Sequence, residues 1–322
     1  MTALLEVRDL HVWFDLPNGG ELHAVQGVNF ALEAGERMGL VGESGCGKTT
    51  SILALMGLLP PNASVQGQVL IDGVDIMVGG EDTIRPHRWR EVAMVFQGAM
   101  NALNPVQRVG AQIVEPLELH GVASGEAAKR RAGELLELVG ISAAAAERYP
   151  HEFSGGMRQR AAIAMALACE PKILLADEPT TALDVMVQAQ ILELLKKLSE
   201  GFGLALVLVT HDLPVVAQVC QRAAVMYAGR IAEAGPIDAL FHEPRHPYTR
   251  LLFAATPDLY SEEGVASIPG APPRLDHQIT GCAFRERCDV PMDVCAGQDP
   301  ALASVGSSHL AACHRNDVVA PA

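Results

Sequence analysis

Short apolar runs alternate with longer amphipathic stretches along this chain, and the changes of period mark the elements. Residues 4–14, 25–32 and 65–71 alternate or run apolar over strand lengths, with Gly19-Gly20 and Asp72-Gly73 as turns, and read as strands of a β-rich lobe. Glu36 to Val41 and Val92 to Phe96 are short apolar runs of the kind found in buried parallel strands. From about Val106 to His151 the pattern is helical, clearest over Glu126 to Val139, and predicts an inserted helical subdomain. A helix over 156–169, a strand over 173–177, a helix over 186–199, a strand over 205–210 and a hairpin around Ala228-Gly229 follow. In the 186–199 helix, Val187, Ile191, Leu194, Leu195 and Leu198 form one apolar stripe suited to packing on a sheet. Strands alternating with helices predict an α/β fold with a mostly parallel sheet. Beyond about residue 240 prolines multiply and periodicity fades. The predicted division is a discontinuous α/β core at 1–105 and 156–240, a helical subdomain at 106–155 and a small irregular extension at 241–322. No internal repeat is present, which excludes two fused copies of the core.

Composition narrows the class. The chain has 322 residues, of which 49% are hydrophobic, so a substantial core is available. A net charge of −14 argues against a broad electrostatic grip on nucleic acid or anionic lipid. No apolar stretch approaches the ~18 residues of a membrane span, and the N-terminus lacks the basic and apolar regions of a secretory signal. A soluble, cytosolic chain is expected. Of its seven cysteines, Cys46, Cys169 and Cys220 are scattered, while Cys282, Cys288, Cys295 and Cys313 crowd into one terminal stretch. In a cytosolic setting such clustering points to metal or redox chemistry more than to disulfides.

Gly42-Glu43-Ser44-Gly45-Cys46-Gly47-Lys48-Thr49-Thr50 fits the GxxxxGK[ST] phosphate loop. It follows an apolar strand and opens a helix, the context in which glycine-rich backbone turns its N–H groups on an anion. Lys48 would neutralise the β- and γ-phosphates of a nucleotide and Thr49 would ligate Mg²⁺. Cys46 lies near the positive end of that helix, a position that favours a lowered pKa and sensitivity to thiol reagents, and it reads as a tolerated small side chain without a catalytic part. Asp177, at the end of the 173–177 strand, is placed to hold Mg²⁺ through its water shell, with Glu178 beside it.

Phe153-Ser154-Gly155-Gly156-Met157, then Ile173 to Glu178, then Pro179-Thr180-Thr181-Ala182-Leu183-Asp184 and Thr210-His211-Asp212 follow in that order. With the phosphate loop they resemble the ATPase subunits of ABC transporters, over nearly the whole chain from Leu4 to Cys313. The resemblance implies a P-loop ABC ATPase core and the following roles. Thr50 adds a hydroxyl to the α-phosphate. Glu178 orients or deprotonates the attacking water. His211 contacts the γ-phosphate, and Gln97 links Mg²⁺ to the membrane partner. Gly98-Ala99-Met100 stands where many relatives have Asp-Pro-Met, which leaves the details of that coupling open. The segment ending at Asp184 resembles the D-loop. Ser154, Gly155 and Gly156 reach the nucleotide held by a second ATPase subunit, which implies a head-to-tail dimer with two nucleotides at its interface. Met157 replaces the more widespread glutamine, as in peptide-importer ATPases. Phe14, or its neighbour Trp13, stacks on adenine, with Phe14 preferred.

The tail narrows the resemblance to oligopeptide, dipeptide and nickel importers. Arg245-His246-Pro247-Tyr248-Thr249-Arg250-Leu251-Leu252 resembles the segment after their ATPase core, and Cys282-x5-Cys288-x6-Cys295-x17-Cys313 resembles their terminal motif, associated with a [4Fe–4S] cluster. Zinc and four reduced thiols stay open as alternatives, although structural zinc favours close Cys pairs that are absent here. The implied partners are two transmembrane permease subunits, a second related ATPase or a second copy of this chain, and indirectly a solute-binding protein. The implied place is the cytoplasmic face of the inner membrane. A nickel or other small-solute importer is the runner-up. A soluble ABC ATPase of DNA repair or translation is disfavoured: no long coiled coil, no paired Cys-x2-Cys module and no second cassette is present.

Overall fold

The computed structural model describes residues 3–17, 19–98, 102–255, 267–277 and 279–315. In chain order the elements begin with β1 (Leu5–Asp15), β2 (Glu21–Leu32), β3 (Arg37–Val41), α1 (Lys48–Leu55), β4 (Ala63–Ile71), β5 (Val74–Asp75) and α2 (Glu81–Ile84). There follow β6 (Val92–Val95), α3 (Val109–Leu119), α4 (Gly125–Leu138), α5 (Gly155–Ala166), β7 (Ile173–Asp177), α6 (Val185–Phe202) and β8 (Ala205–Thr210). The remainder is α7 (Leu213–Val219), β9 (Arg222–Tyr227), β10 (Arg230–Pro236), α8 (Ile237–His242), α9 (Pro247–Ala254), β11 (Ala303–Gly306) and β12 (His309–Ala311). The chain folds as two compact units, each assembled from several segments.

The first unit takes Met1–Leu5, Leu32–Arg37 and Ile76–Val209. Its strands run β8-β7-β6 in parallel, with Val92 opposite Ile173 and Ile173 opposite Ala205. Every residue of these three strands is buried, as expected where helices cover both faces. Helix α4 is amphipathic: Ala128, Ala132, Leu135 and Leu136 are buried at i, i+4, i+7 and i+8. They pack against α3, α5 and the 3-10 turn at Ala143–Glu147. Helix α6 starts at Asp184, whose carboxylate accepts a bond from the Val187 N–H, and stops at Gly203 in the left-handed region. Its buried stripe is Ile191, Leu192, Leu195 and Leu198. Val187 and Leu194, expected in that stripe, are half-buried. Val187 is instead committed to the start of α5, where a Cβ on Gly156 would stand 2.6 Å from its Cγ1.

The second unit takes Glu6–Ala31, Met38–Asp75 and Thr210–Ala322. One sheet has the order β2-β1-β4-β5. Strand β2 begins earlier than the apolar pattern indicates, because its polar start carries His23, whose ring stacks on Trp13 of β1 at 4.5 Å. The other strands run β11-β12-β10-β9-β3. Strand β3 pairs parallel with β9, Leu40 opposite Ala224. Strands β9 and β10 form the expected hairpin, whose two-residue turn has positive φ at both Ala228 and Gly229.

The terminal stretch adds strands to this sheet: β12 pairs antiparallel with β10, Glu233 opposite Ala311. Glu233 is fully buried beside a bulge in β10 and ties three segments together. Its carboxylate accepts the N–H groups of Arg245 and His246 at 2.7 and 2.9 Å and bonds His309 Nε2 at 2.7 Å. Replacing it leaves buried donors without an acceptor. Glu233→Ala is expected to lower the unfolding free energy by about 3 kcal/mol. A urea midpoint equal to that of the parent protein would refute the assignment.

Candidate functional site

The phosphate loop joins β3 to α1 through backbone that side chains would obstruct. A Cβ on Gly42 would stand 2.2 Å from the Met226 carbonyl oxygen, and one on Gly47 would stand 2.6 Å from the Ala24 carbonyl oxygen. Gly47 has φ 105 at the helix start and supplies no capping side chain, so the first-turn N–H groups of α1 belong to a helix end suited to an anion. Lys48 is buried, and its ammonium donates to the Gly42 and Glu43 carbonyls at 2.7 and 3.0 Å. The loop therefore curls around a positive charge. Thr49 and Thr50 are half-buried in the first turn of α1, while Ser44 and Gly45 are exposed at the loop's tip.

Glu43 is held at every polar group. Its N–H donates to the Tyr248 hydroxyl at 2.9 Å, and its carboxylate is gripped in fork fashion by Arg287 at 2.6 and 2.9 Å. Cys46 contradicts the expectation of an activated thiol. It is 5% exposed, and burial pushes its pKa up against the opposing pull of the Lys48 ammonium. Desolvation of a thiolate outweighs the helix end here.

The carboxylate pair lies at the end of β7. Asp177 is the last strand residue and is 2% exposed. Glu178 follows, half-buried, with φ 42 in the left-handed region, a strained conformation for a side-chain-bearing residue. Its Oε2 accepts Gln97 Nε2 at 2.8 Å and the Thr181 hydroxyl at 3.0 Å. The structure thus brings Gln97 and Glu178 together. Ala182, in the next turn, also has positive φ. Asp184 is the N-cap of α6. His211 is exposed after β8, in front of Asp212, which caps α7.

Ser154 caps α5: its hydroxyl accepts the Met157 N–H at 3.3 Å, with Gly155 and Gly156 forming the helix's first residues. Of the two aromatics at the end of β1, Trp13 stacks on His23 and on His11. Phe14 is half-buried on the other face of the strand.

The four terminal cysteines converge. Cys282, Cys288, Cys295 and Cys313 line one cavity of about 20 Å³, together with His246, Phe284 and Arg285. Among the described residues no three His, Cys, Asp or Glu side chains are grouped tightly enough to hold a metal ion, which gives neither zinc nor a cluster support from side-chain grouping. Burial, with neighbouring thiols adding to it, pushes Cys282 up to about 11, and burial also raises Cys288 and Cys313. His246, fully buried in the wall, is lowered to about 4 by desolvation.

Residues 25–181 match the ABC transporter family, and residues 232–295 match the oligopeptide/dipeptide transporter C-terminal region. The oligopeptide transport ATP-binding protein OppD of Bacillus subtilis (strain 168) is 49% identical over 96% of this chain and 88% of its own length. The chain belongs to the ATP-binding subunits of oligopeptide and dipeptide ABC transporters. OppD of Escherichia coli (strain K12) is 46% identical over 97% of this chain and 93% of its own length. The dipeptide transport protein DppD of Bacillus subtilis (strain 168) is 45% identical over 98% and 96%. A solved ATP-binding cassette, MJ0796, a dimer in a post-hydrolysis state bound to ADP and phosphate, is 32% identical with a TM-score of 0.64 over 72% of this chain and 98% of that one. This transporter ATP-binding subunit is therefore an ATPase with the P-loop ABC fold.

Three residues of its site escaped the sequence. Thr181 lies inside the stretch from Pro179 to Asp184, but nothing in its order shows that it holds Glu178. Tyr248 sits in the His-Pro-Tyr segment that carried the subfamily resemblance. Arg287 gave no signal at all. The Cys46 environment sets a test: its rate of modification by a small thiol reagent in the native subunit is expected to be at least about tenfold below that of the unfolded chain. Equal rates would restore an exposed, activated thiol.

Proposed function

We propose that this subunit binds MgATP on the loop from Gly42 to Thr50 and hydrolyses it to power uptake of di- or oligopeptides through a partner permease. One observation carries the reading: an ABC cassette and the C-terminal region of oligopeptide/dipeptide transporters match along a single chain. The loop N–H groups and the buried Lys48 ammonium would receive the β- and γ-phosphates, Thr50 the α-phosphate, and Phe14 the adenine face, since Trp13 is already stacked. Thr49, Gln97 and Asp177 would hold Mg²⁺, which when bound offsets the charge of the phosphates. Glu178 orients or deprotonates the attacking water; its strained backbone and its bonds to Gln97 and Thr181 fix the carboxylate's direction. His211 contacts the γ-phosphate.

Ser154, Gly155, Gly156 and Asp184 act across a head-to-tail dimer, the first three on the partner's nucleotide. ATP binding closes the dimer and hydrolysis reopens it. The second ATPase is a related chain or another copy of this one. Two membrane-spanning permease subunits supply the path; among the described residues of this chain no helix is long and apolar enough to cross a membrane. A solute-binding protein delivers cargo, and this subunit sits peripherally on the cytoplasmic face of the inner membrane. Glu178→Gln is expected to cut turnover by about 10²–10⁴-fold while retaining ATP in a closed dimer. Normal turnover in that variant would remove Glu178 from the role.

We further infer that Cys282, Cys288, Cys295 and Cys313 hold a [4Fe–4S] cluster. Four thiols in one cavity are the donor set such a cluster takes, and because thiolates are the ligands its binding would release protons. Anaerobically purified protein is expected to carry about four iron and four acid-labile sulfide atoms; a preparation with neither would sink this assignment.

A further inference from the structure

Arg287 is a spacer residue between Cys282 and Cys288, yet it is among the most enclosed charged side chains of the described residues, at 4% exposure. Its Nε donates to the Pro269 carbonyl at 2.8 Å. Its guanidinium lies over the rings of Tyr227 and Phe284, 5.7 and 5.9 Å from their centroids, and Nη1 reaches the Tyr227 hydroxyl at 3.3 Å. Nη1, shared with that hydroxyl, and Nη2 close on both carboxylate oxygens of Glu43.

Glu43 is an awkward residue for its position. A carboxylate on a loop that receives a polyphosphate repels its ligand unless a cation neutralises it. A loop whose N–H groups must point at phosphate also has to be held in one conformation. Both demands are met from the same side. Arg287 pairs the Glu43 carboxylate, and Tyr248, locked against Tyr227 and Phe284 by ring contacts of 4.6 and 5.3 Å, accepts the Glu43 N–H. Arg287 stands directly before Cys288, and Phe284 is shared between the ring cluster and the thiol cavity, so this grip is an extension of the cysteine-bearing segment.

We propose that Arg287 is a positioning residue for ATP binding: it neutralises and orients Glu43, so that the C-terminal segment sets the affinity of the phosphate loop. The proposal rests on the reading of that loop as the ATP site. It predicts a specific pattern of coupling. Arg287→Ala releases the Glu43 charge and weakens MgATP binding about tenfold, with a loss that shrinks as salt is raised. In a Glu43→Gln background there is no charge to release, so the same Arg287→Ala change costs little. A general loss of packing would weaken binding equally in both backgrounds.

The test is a double-mutant cycle on the full-length protein, with the MgATP dissociation constant measured by a fluorescent-nucleotide displacement titration at low and high salt. Arg287→Lys, which keeps the charge without the fork, is expected to fall between the parent and Arg287→Ala. Should Arg287→Ala fail to fold, the comparison of Arg287→Lys in the two backgrounds replaces it. Parent-like affinity in Arg287→Ala, or an equal loss with and without Glu43, overturns the proposal. Failure of the parent protein itself to bind MgATP would instead overturn the reading of the loop.

Discussion

Backbone-to-backbone approach at the phosphate loop is the constraint on which the rest of this ATPase depends. Gly42 lies against the Met226 carbonyl and Gly47 against that of Ala24, at separations that leave no space for a methyl group. This close approach lets the chain wrap around the Lys48 ammonium and leaves a helix N-terminus suited to an anion. The surrounding pairings serve that geometry. Strand β3 is registered on β9, and the hairpin turn at Ala228-Gly229 donates the Gly229 N–H to the Cys46 carbonyl at 3.0 Å. The same enclosure changes the chemistry of Cys46. A thiol that the helix end would otherwise activate is kept neutral by lack of water.

The carboxylate pair Asp177-Glu178 is built on a different principle, a strand end followed by strained turn backbone. Glu178 departs from the extended backbone of β7 into the left-handed region, and Ala182 does so again four residues later. Such conformations persist only where neighbouring bonds hold them. Here Gln97 and Thr181 fix the carboxylate, and the cap at Asp184 fixes the start of α6. Glu178 is thus directed by its backbone as much as by its side-chain partners.

The C-terminal segment joins the fold through the buried Glu233 knot and the β10–β12 pairing. Its aromatic cluster of Tyr227, Tyr248 and Phe284 connects the wall of the thiol cavity to the residue after Gly42. A region that reads as irregular therefore has a rigid centre, made by ring packing and one ion pair instead of by regular structure.

The sequence by itself determined the α/β class and the order of the main strands and helices up to the Ala228-Gly229 hairpin. Those signals are local: apolar runs of strand length, helical period in α4 and α6, and glycines at fixed spacing from Lys48. Matters decided between distant segments stayed illegible. Val187 carried the right period for the α6 stripe but was taken by Gly156 of α5, and β2 was lengthened by a ring stack across to β1. Cys46 had the correct motif position, yet its reactivity was set by burial that no spacing encodes. Convergence of the four cysteines, and the reach of Arg287 over 244 residues of chain to Glu43, exist only once the tertiary fold has closed. Motif and period record what neighbours along the chain require of one another; charge pairing and desolvation depend on which surfaces meet, and the tertiary structure alone decided that.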